Sequence, residues 1–339
     1  MADRKIAPTA LSGVNDSGPG LVKTRACSEL ALTGATGFIG ATLASHLTAA
    51  GWHVRALYRP LKGRVLPNLP GVQWFPGTLE DEKALNILVN GTHAVIHCAG
   101  AVRGTGRTDF DRVNEDGAMR VALATASQTQ VPRFLLISSL AAREPNLSFY
   151  SGSKWRGECA VKTISENLRW TVMRPSAVFG PGDRELLPLF RCIAKGFAPL
   201  PAGANGRFSL IYVDDLATAV MRWLAVDACD GQTFELHDGQ TGGYDWDKVL
   251  AIGGRVLCPG RYVHRVPIPV SLLALAASVN FASARLLGYA PMLTPGKIRE
   301  LTHPDWVCDN FRFSRLTGWQ PTVGLAQGLA CIFGKKPAE

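Results

Sequence analysis

Short apolar runs alternate with longer segments of helical period through the first 175 residues. ELALTG, HVRALYR, VQWFPG, HAVIHCAG, RFLLISSL and RWTVMRPS read as six strands. FIGATLASHLTAAG, DEKALNILVNG, FDRVNEDGAMRVALATASQTQ and YSGSKWRGECAVKTISEN read as helices between them, the first ending at Gly51. Strands that alternate with helices of this length predict βαβ units and a parallel sheet covered on both faces. After about residue 176 the pattern loosens. Prolines and glycines crowd SAVFGPGDRELLP and GFAPLPAGANGRF, and short strands (RFSLIYV, QTFELHD) mix with helices (VDDLATAVMRWLA, DWDKVLAIGG). The expected division is a flexible N-terminal extension over 1–27, a sheet domain over 28–175 and a smaller lobe over 176–335.

Candidate chemistry begins at the first junction. In LALTGATGFIGATLASHL, Gly34, Gly37 and Gly40 form a G-x-x-G-x-x-G pattern between a strand and a helix. The first glycine permits a turn with unusual φ. The second lets the backbone approach a diphosphate, and the third lets the helix pack close to the sheet. Free N–H groups at the helix start then face the anion. A tight turn without a ligand would use the same glycines; the place at the first strand–helix junction favours the dinucleotide reading. In dinucleotide folds an acid near the end of the second strand grips the ribose hydroxyls and selects NAD. Here VRALYRPLKGR puts Tyr58 and Arg59 at that place. A guanidinium suits a 2′-phosphate, so NADP is expected and NAD is the second choice, with Lys62 and Arg64 assisting.

FYSGSKW places Tyr150 and Lys154 four residues apart, on one face of a helix. A free tyrosine, with a pKa of about 10, is a poor base near neutrality. An ammonium one turn away favours the phenolate and lowers that pKa. Tyr150 could then take a proton from an alcohol or give one to a developing alkoxide. Ser138 and Ser139 end the fifth strand upstream, at the sheet edge where ligands bind in such folds.

Taken together, these stretches resemble the extended short-chain dehydrogenase/reductase superfamily, the group with NAD-dependent epimerases and dehydratases. TGATGFIG resembles its glycine motif and HCAG, His97 to Gly100, its H-x-A-[AG] segment. Asn114 in VNEDGA resembles its N-x-x-G motif, and Ser139, Tyr150 and Lys154 resemble its Ser…Tyr-x-x-x-Lys triad. MRPSAVFGPGD and LIYVDDLATAV match its R-P-x-x-V-[FY]-G-P and [YH]-V-x-D-[LV]-A segments. The resemblance covers about residues 30 to 330. It implies an α/β fold: a Rossmann-type doubly wound parallel sheet over 28–175 that binds the dinucleotide, with a smaller mixed C-terminal substrate lobe over 176–335. It implies that Ser139, Tyr150 and Lys154 are catalytic; Ser139 is preferred to Ser138 because the family's hydroxyl falls on the second residue of the pair. Cofactor contacts are implied for Gly34, Thr36, Gly37, Phe38, Ile39, Gly40, Arg59, Thr78, Leu79, Ala99, Gly100, Tyr150, Lys154, Pro175 and Val178. Thr78 stands where the family has an acid that contacts adenine. Asn114 is expected to brace the backbone, His97 to be a packed histidine, and Asp214 and Asp215 to cap a helix and lock the lobe.

Family membership leaves the substrate open, and three features tilt it. Only ten residues separate Ser139 from Tyr150, a plain connection compared with nucleotide-sugar enzymes. Leu140 and Ala141 stand where sugar dehydratases carry an Asp-Glu pair. The run from Val266 to Ala284 is apolar, and Leu272, Leu275, Val279, Ala282 and Leu286 recur at helical spacing. That stripe reads first as packing for the lobe or a homodimer, then as a cap on a hydrophobic substrate; membrane-surface association is the least favoured reading. The expected reaction interconverts a ketone and a secondary alcohol on a fairly hydrophobic small molecule. The alternatives are an NAD-dependent nucleotide-sugar epimerase and a non-catalytic nucleotide-binding scaffold subunit.

Composition adds limits. The net charge is +9, from 36 basic and 27 acidic residues, but the basic residues are scattered, so no nucleic-acid partner is expected. The eight cysteines include no CxxC pair and no zinc-ligand spacing, so no metal is expected and the chain reads as reduced and cytoplasmic. The N-terminus lacks the apolar core of a secretory signal.

Overall fold

A computed structural model describes residues 28–335 apart from Arg64 and Ala204. The flexible extension expected over 1–27 and the assisting role of Arg64 lie outside the described residues. In chain order the first half comprises β1 (Glu29–Thr33), α1 (Phe38–Ala49), β2 (His53–Tyr58), β3 (Val72–Pro76), α2 (Glu82–Val89), β4 (Ala94–His97), α3 (Arg107–Asn114), α4 (Asp116–Ala126), β5 (Arg133–Ile137), α5 (Phe149–Thr163) and β6 (Trp170–Pro175). The second half comprises β7 (Ala177–Phe179), α6 (Leu187–Ala194), β8 (Phe197–Pro201), β9 (Arg207–Phe208), β10 (Leu210–Tyr212), α7 (Val213–Ala225), β11 (Gln232–Leu236), α8 (Trp246–Leu257), β12 (His264–Ile268), α9 (Val270–Leu287), α10 (Pro295–Leu301), β13 (Asp305–Trp306), α11 (Phe311–Thr317) and α12 (Leu325–Phe333).

Seven strands form one parallel sheet in the order β11-β6-β5-β4-β1-β2-β3. This is the doubly wound α/β architecture that the alternating pattern predicts. Strands β4 and β5 are buried along their whole length, which is why they read as unbroken apolar runs. On one face Leu43 and Leu47 of α1 and Leu216, Val220 and Trp223 of α7 pack over Leu30, Leu32, Ile96 and Leu135. On the other, Leu85 and Leu88 of α2, Val121 of α4 and Val161 of α5 pack over Ala31, Val95, Phe134 and Val172. The strand order reverses between β1 and β4, so a crevice opens at their C-terminal ends. The glycine loop leaves β1 there, and HCAG leaves β4.

Three features differ from the sequence expectations. The sheet does not end near residue 175: β11 pairs with β6, with Phe234 opposite Met173, after the chain has already entered the lobe. Phe234 and Leu236 complete the core on that side. The long helix over FDRVNEDGAMRVALATASQTQ is two, broken at Glu115 (φ −99°, ψ −68°). Helix α5 crosses at this joint so closely that a Cβ on Gly157 would overlap the Asn114 carbonyl oxygen. RFSLIYV breaks at Ser209, whose N–H donates to the Trp306 carbonyl (3.1 Å).

The lobe has its own core of Phe179, Phe190, Ile193, Leu200, Tyr212 and Leu329, with three two-stranded sheets, β7–β10, β8–β12 and β9–β13. Neither Asp214 nor Asp215 caps α7; both lie in its first turn. Buried Asp215 instead accepts from the Thr322 and Val323 N–H groups (3.0 and 2.8 Å) and the Thr322 hydroxyl (2.8 Å), fixing the segment that leads into α12. Asp214 pairs with His46 of α1 at 2.8 Å.

Candidate active site

The glycine loop shows why each glycine is there. Gly34 has φ +78°, and a Cβ on it would lie 2.6 Å from the Ala99 nitrogen. The loop therefore packs directly against the exit of β4. A Cβ on Gly40 would fall onto the Gly34 carbonyl oxygen. Gly37 is the N-cap of α1, which has no side-chain cap and no acid in its first turn. The first N–H groups of a helix have no partner within it. Here those of Phe38, Ile39 and Gly40 face the crevice with the positive end of the helix dipole. An uncapped helix end behind a glycine turn suits a diphosphate. Thr36 and Gly37 are exposed on the loop, and Phe38 and Ile39 are half-buried.

Register places the other expected cofactor residues around this loop. Leu32 pairs with Ala56, so the end of β2 lies level with the glycine turn and exposed Arg59 follows it. No ion pair holds Arg59 among the described residues, so its guanidinium is available. Thr78 forms a turn after β3, its hydroxyl accepting from the Glu80 N–H at 3.3 Å. Leu79 packs inward, against the place where a Cβ on Gly117 would stand. Pro175 is buried at the end of β6, and Val178 is half-buried in β7.

The catalytic candidates converge on α5, which Ser148 caps by accepting from the Ser151 N–H at 2.9 Å. Lys154 is buried, and its ammonium donates to the Ile137 carbonyl at 3.2 Å. A Cβ on Gly100 would lie 3.0 Å from that nitrogen, so glycine at this position leaves the lysine end uncrowded. Burial lowers the Lys154 pKa, and the neighbouring Cys98 and Glu158 oppose this. Asn114 braces the same corner. Its Oδ1 accepts from the Ala101 N–H and its Nδ2 donates to the Ala101 carbonyl and the Ser153 hydroxyl, all at 2.9 Å.

The two serines separate cleanly. Ser138 is buried and donates to Glu158 at 2.6 Å. Glu158 also receives a bidentate pair from Arg174 (2.9 and 2.7 Å). Ser139 is half-buried, caps the short 3₁₀ turn Leu140–Arg143, and hydrogen-bonds to the Tyr150 phenol. The structure thus brings Ser139, Tyr150 and Lys154 to one corner and turns Ser138 away.

The phenol does not titrate as the Tyr-Lys spacing alone suggests. Burial pushes the Tyr150 pKa up to about 12; the Ser139 hydrogen bond opposes the rise, and the Glu300 carboxylate adds to it. Desolvation outweighs the nearby ammonium, which points at the Ile137 carbonyl. At neutral pH Tyr150 is therefore a proton donor. His97, fully buried at the end of β4, is no acid or base. Burial, then Lys154, pull its pKa down to about 3, and its Nδ1 bonds the Thr33 hydroxyl at 2.8 Å.

Glu300 is the functional candidate that the sequence reading missed. It lies on α10, 150 residues from Tyr150, yet it accepts from the Ser148 and Ser151 hydroxyls and from Lys297 (3.0 Å). KIRELTH reads as an ordinary exposed helix. Only the burial of Glu300 marks it, and burial is set by the fold.

The fold and this corner define a dinucleotide-dependent oxidoreductase of the extended short-chain dehydrogenase/reductase type. The chain belongs to the NAD dependent epimerase/dehydratase family, whose model matches residues 30–235. It is 35% identical over 283 residues to the ceramide reductase of Caulobacter vibrioides (strain NA1000 / CB15N), covering 84% of this chain and 87% of that one. It is 25% identical over 288 residues to the decarboxylating sterol-4-alpha-carboxylate 3-dehydrogenase of Candida albicans (strain SC5314 / ATCC MYA-2876), covering 76% of this chain and 81% of the relative. Among solved structures, MoeE5 in complex with UDP-glucuronic acid and NAD shares the fold with a TM-score of 0.69 at 19% identity, over 90% of this chain and 97% of the other.

Proposed function

We propose that this protein is an NADP-preferring reductase that converts a ketone to a secondary alcohol on an apolar, long-chain or polycyclic molecule. What carries the reading is the meeting of Ser139, half-buried Tyr150 and buried Lys154 at one corner of the crevice, with a phenol that keeps its proton at neutral pH. A phenol that holds its proton to about pH 12 serves better as an acid for a developing alkoxide than as a base for an alcohol. The names of the two relatives, a ceramide reductase and a sterol dehydrogenase, favour a lipid over a nucleotide sugar. Leu140 and Ala141 after the serine agree with that choice.

The bound nicotinamide dinucleotide supplies the hydride. The uncapped start of α1, from Phe38 to Gly40, holds its diphosphate, and Arg59 selects the 2′-phosphate. Thr78 and Leu79 would border the adenine, Ala99 and Gly100 would form the crevice floor, and Pro175 and Val178 would lie on the nicotinamide side. Lys154, whose ammonium donates to the Ile137 carbonyl, would bind the ribose hydroxyls beside Tyr150. Ser139 and Tyr150 both donate to the carbonyl oxygen and orient it. Tyr150 then passes its proton to that oxygen as the alcohol forms.

Purified protein tested with NADPH against long-chain aliphatic ketones, sterol ketones and UDP-sugars decides the matter. Turnover of an apolar ketone, lost by roughly a hundredfold or more in Tyr150→Phe while NADPH still binds, is the expected result. A dinucleotide that copurifies and never exchanges, with activity only on UDP-sugars, would establish the epimerase reading instead. Full turnover in Tyr150→Phe would remove Tyr150 from the chemistry.

A further inference from the structure

Helix α9 is apolar on two opposite sides. Ala277 and Ala284 are fully buried, with Leu273 and Phe281 partly covered on the same side, and this side packs toward α10. The opposite side carries Leu272, Leu275, Val279, Ala282 and Leu286, spaced three and four apart. These residues are exposed, Leu275 at 61%, Val279 at 58% and Leu286 at 87%. Packing of the lobe, one of the roles expected for this stripe, is therefore absent within the described residues: Ala packs inward and Leu and Val face out. An 18-residue helix whose window is only 11% buried leaves a continuous apolar strip facing out.

Between its bounding acids, Asp247 and Glu300, the stretch of chain that holds the strip is one-signed. From Lys248 to Arg299 the chain carries seven Lys and Arg residues and no Asp or Glu, whereas the remainder is nearly balanced at 29 basic against 27 acidic. Arg265 leans on Asp247, and Lys297 on Glu300. Arg255, Arg261 and Arg285 are exposed and pair with no acid among the described residues. Tyr262 (77% exposed) precedes β12, and Tyr289 (41%) follows α9, so an amphipathic aromatic stands in sequence at either end. An apolar strip, a cationic rim and flanking tyrosines are complementary to an anionic lipid surface. They fit a second copy of this chain poorly, because a symmetric contact would bring the same cationic rims together.

We propose that α9 docks this protein on an anionic bilayer, lying in the plane of the headgroups with Leu272, Leu275, Val279 and Leu286 down. The helix does not span. At 1.5 Å per residue it is roughly 27 Å long, enough by length and composition to cross a bilayer, but its ends are tied to the rest of the lobe. Both of its ends return to the lobe: Ala202 donates to the Ile268 carbonyl just before it (2.8 Å), and Asn280 holds the Leu293 carbonyl after it (3.1 Å). Docked this way, α9 stands between the bilayer and α10, whose Glu300 bonds Ser151 on the Tyr150 helix. On the proposed function, a lipid ketone would then enter from the membrane on the side of the lobe that carries α9 and α10. That last step rests on the reductase reading; the docking itself does not.

Flotation of the full chain with phosphatidylcholine vesicles, with and without phosphatidylglycerol, tests the docking and measures no turnover. Its failure would therefore leave the reductase reading intact. The expected result is flotation with anionic vesicles, weakened by salt. Leu275→Asp with Val279→Asp, both outward-facing, should weaken partition on the order of a hundredfold with unchanged circular dichroism and NADPH binding. Arg261→Gln with Arg285→Gln should lose the preference for anionic lipid by roughly tenfold or more. Wild-type protein that stays with the soluble fraction, or an Asp variant that floats as before, would overturn the proposal. So would a wild-type dimer that ignores vesicles and becomes monomeric in the Asp variant, which would make the strip a protein interface.

Discussion

Arg174→Met tests whether the polar cluster behind the active site holds it in shape. Glu158 has a side chain only 1% exposed, and Arg174 meets both of its oxygens, at 2.9 and 2.7 Å. Removing one member of a buried pair leaves the other uncompensated, at a cost of about 3–5 kcal/mol. Two partners remain: the Ser138 hydroxyl at 2.6 Å and Lys162, partly exposed, at 3.6 Å. Each offsets about 0.5–1 kcal/mol, so the net loss is roughly 2–3 kcal/mol. For a chain of this size that corresponds to about 3–4 °C in Tm. Glu158 is on the same helix as Tyr150 and Lys154, and Ser138 adjoins Ser139, so turnover should fall about tenfold through misplacement. Denaturant unfolding and steady-state rates are measured on Arg174→Met, Glu158→Gln and the double variant. The double variant should be more stable than Arg174→Met alone, because the orphaned charge is gone. If the single variants each cost under about 1 kcal/mol, or their effects simply add, the cluster does not behave as a coupled buried unit and the reasoning fails.

The other predictions concern the crevice. Glu300→Gln removes a negative charge that holds the Tyr150 pKa up, so that pKa should fall. Reduction needs the protonated phenol, so the alkaline decline of the rate should move to lower pH; ultraviolet titration of the phenolate against Tyr150→Phe shows the shift directly. Arg59→Ala should reduce the preference for NADPH over NADH by roughly tenfold or more in kcat/KM, the worth of one charge-assisted phosphate contact, with little change for NADH. Gly100→Ala puts a Cβ 3.0 Å from the Lys154 ammonium and 3.2 Å from the Asn114 Oδ1. Dinucleotide KM should rise about tenfold or more, with Tm barely altered, since the flexible lysine end moves more easily than the strand.

Much of this was legible because it is local. The crevice follows from the alternation of apolar runs with helical segments, and ELALTG followed by Gly34, Gly37 and Gly40 locates its mouth. Tyr150 and Lys154 share a helix face by spacing alone. Asn114 had to be carried over from a family motif, since nothing in VNEDGA itself says that a side chain will bond Ala101 and Ser153. The break at Glu115 and the return of β11 to the sheet were not legible. Both are imposed by packing partners distant in sequence, Gly157 against Asn114 and Phe234 beside Met173.

The charge state of Tyr150 shows where sequence spacing stops being informative. A lysine one turn along the helix is a local fact, and alone it predicts a lowered pKa. What decides the outcome is how much water the phenol loses and where the ammonium points. Phe110 of α3 packs edge-on against the phenol ring, and the Glu300 carboxylate arrives from α10. The Ile137 carbonyl turns Lys154 toward the strand. All three are tertiary, and the first two push the phenol in the direction opposite to the local expectation. A Tyr-x-x-x-Lys spacing therefore locates an acid–base residue, while the groups that the fold brings around it, Ser139 and Glu300 among them, set how firmly its phenol holds the proton.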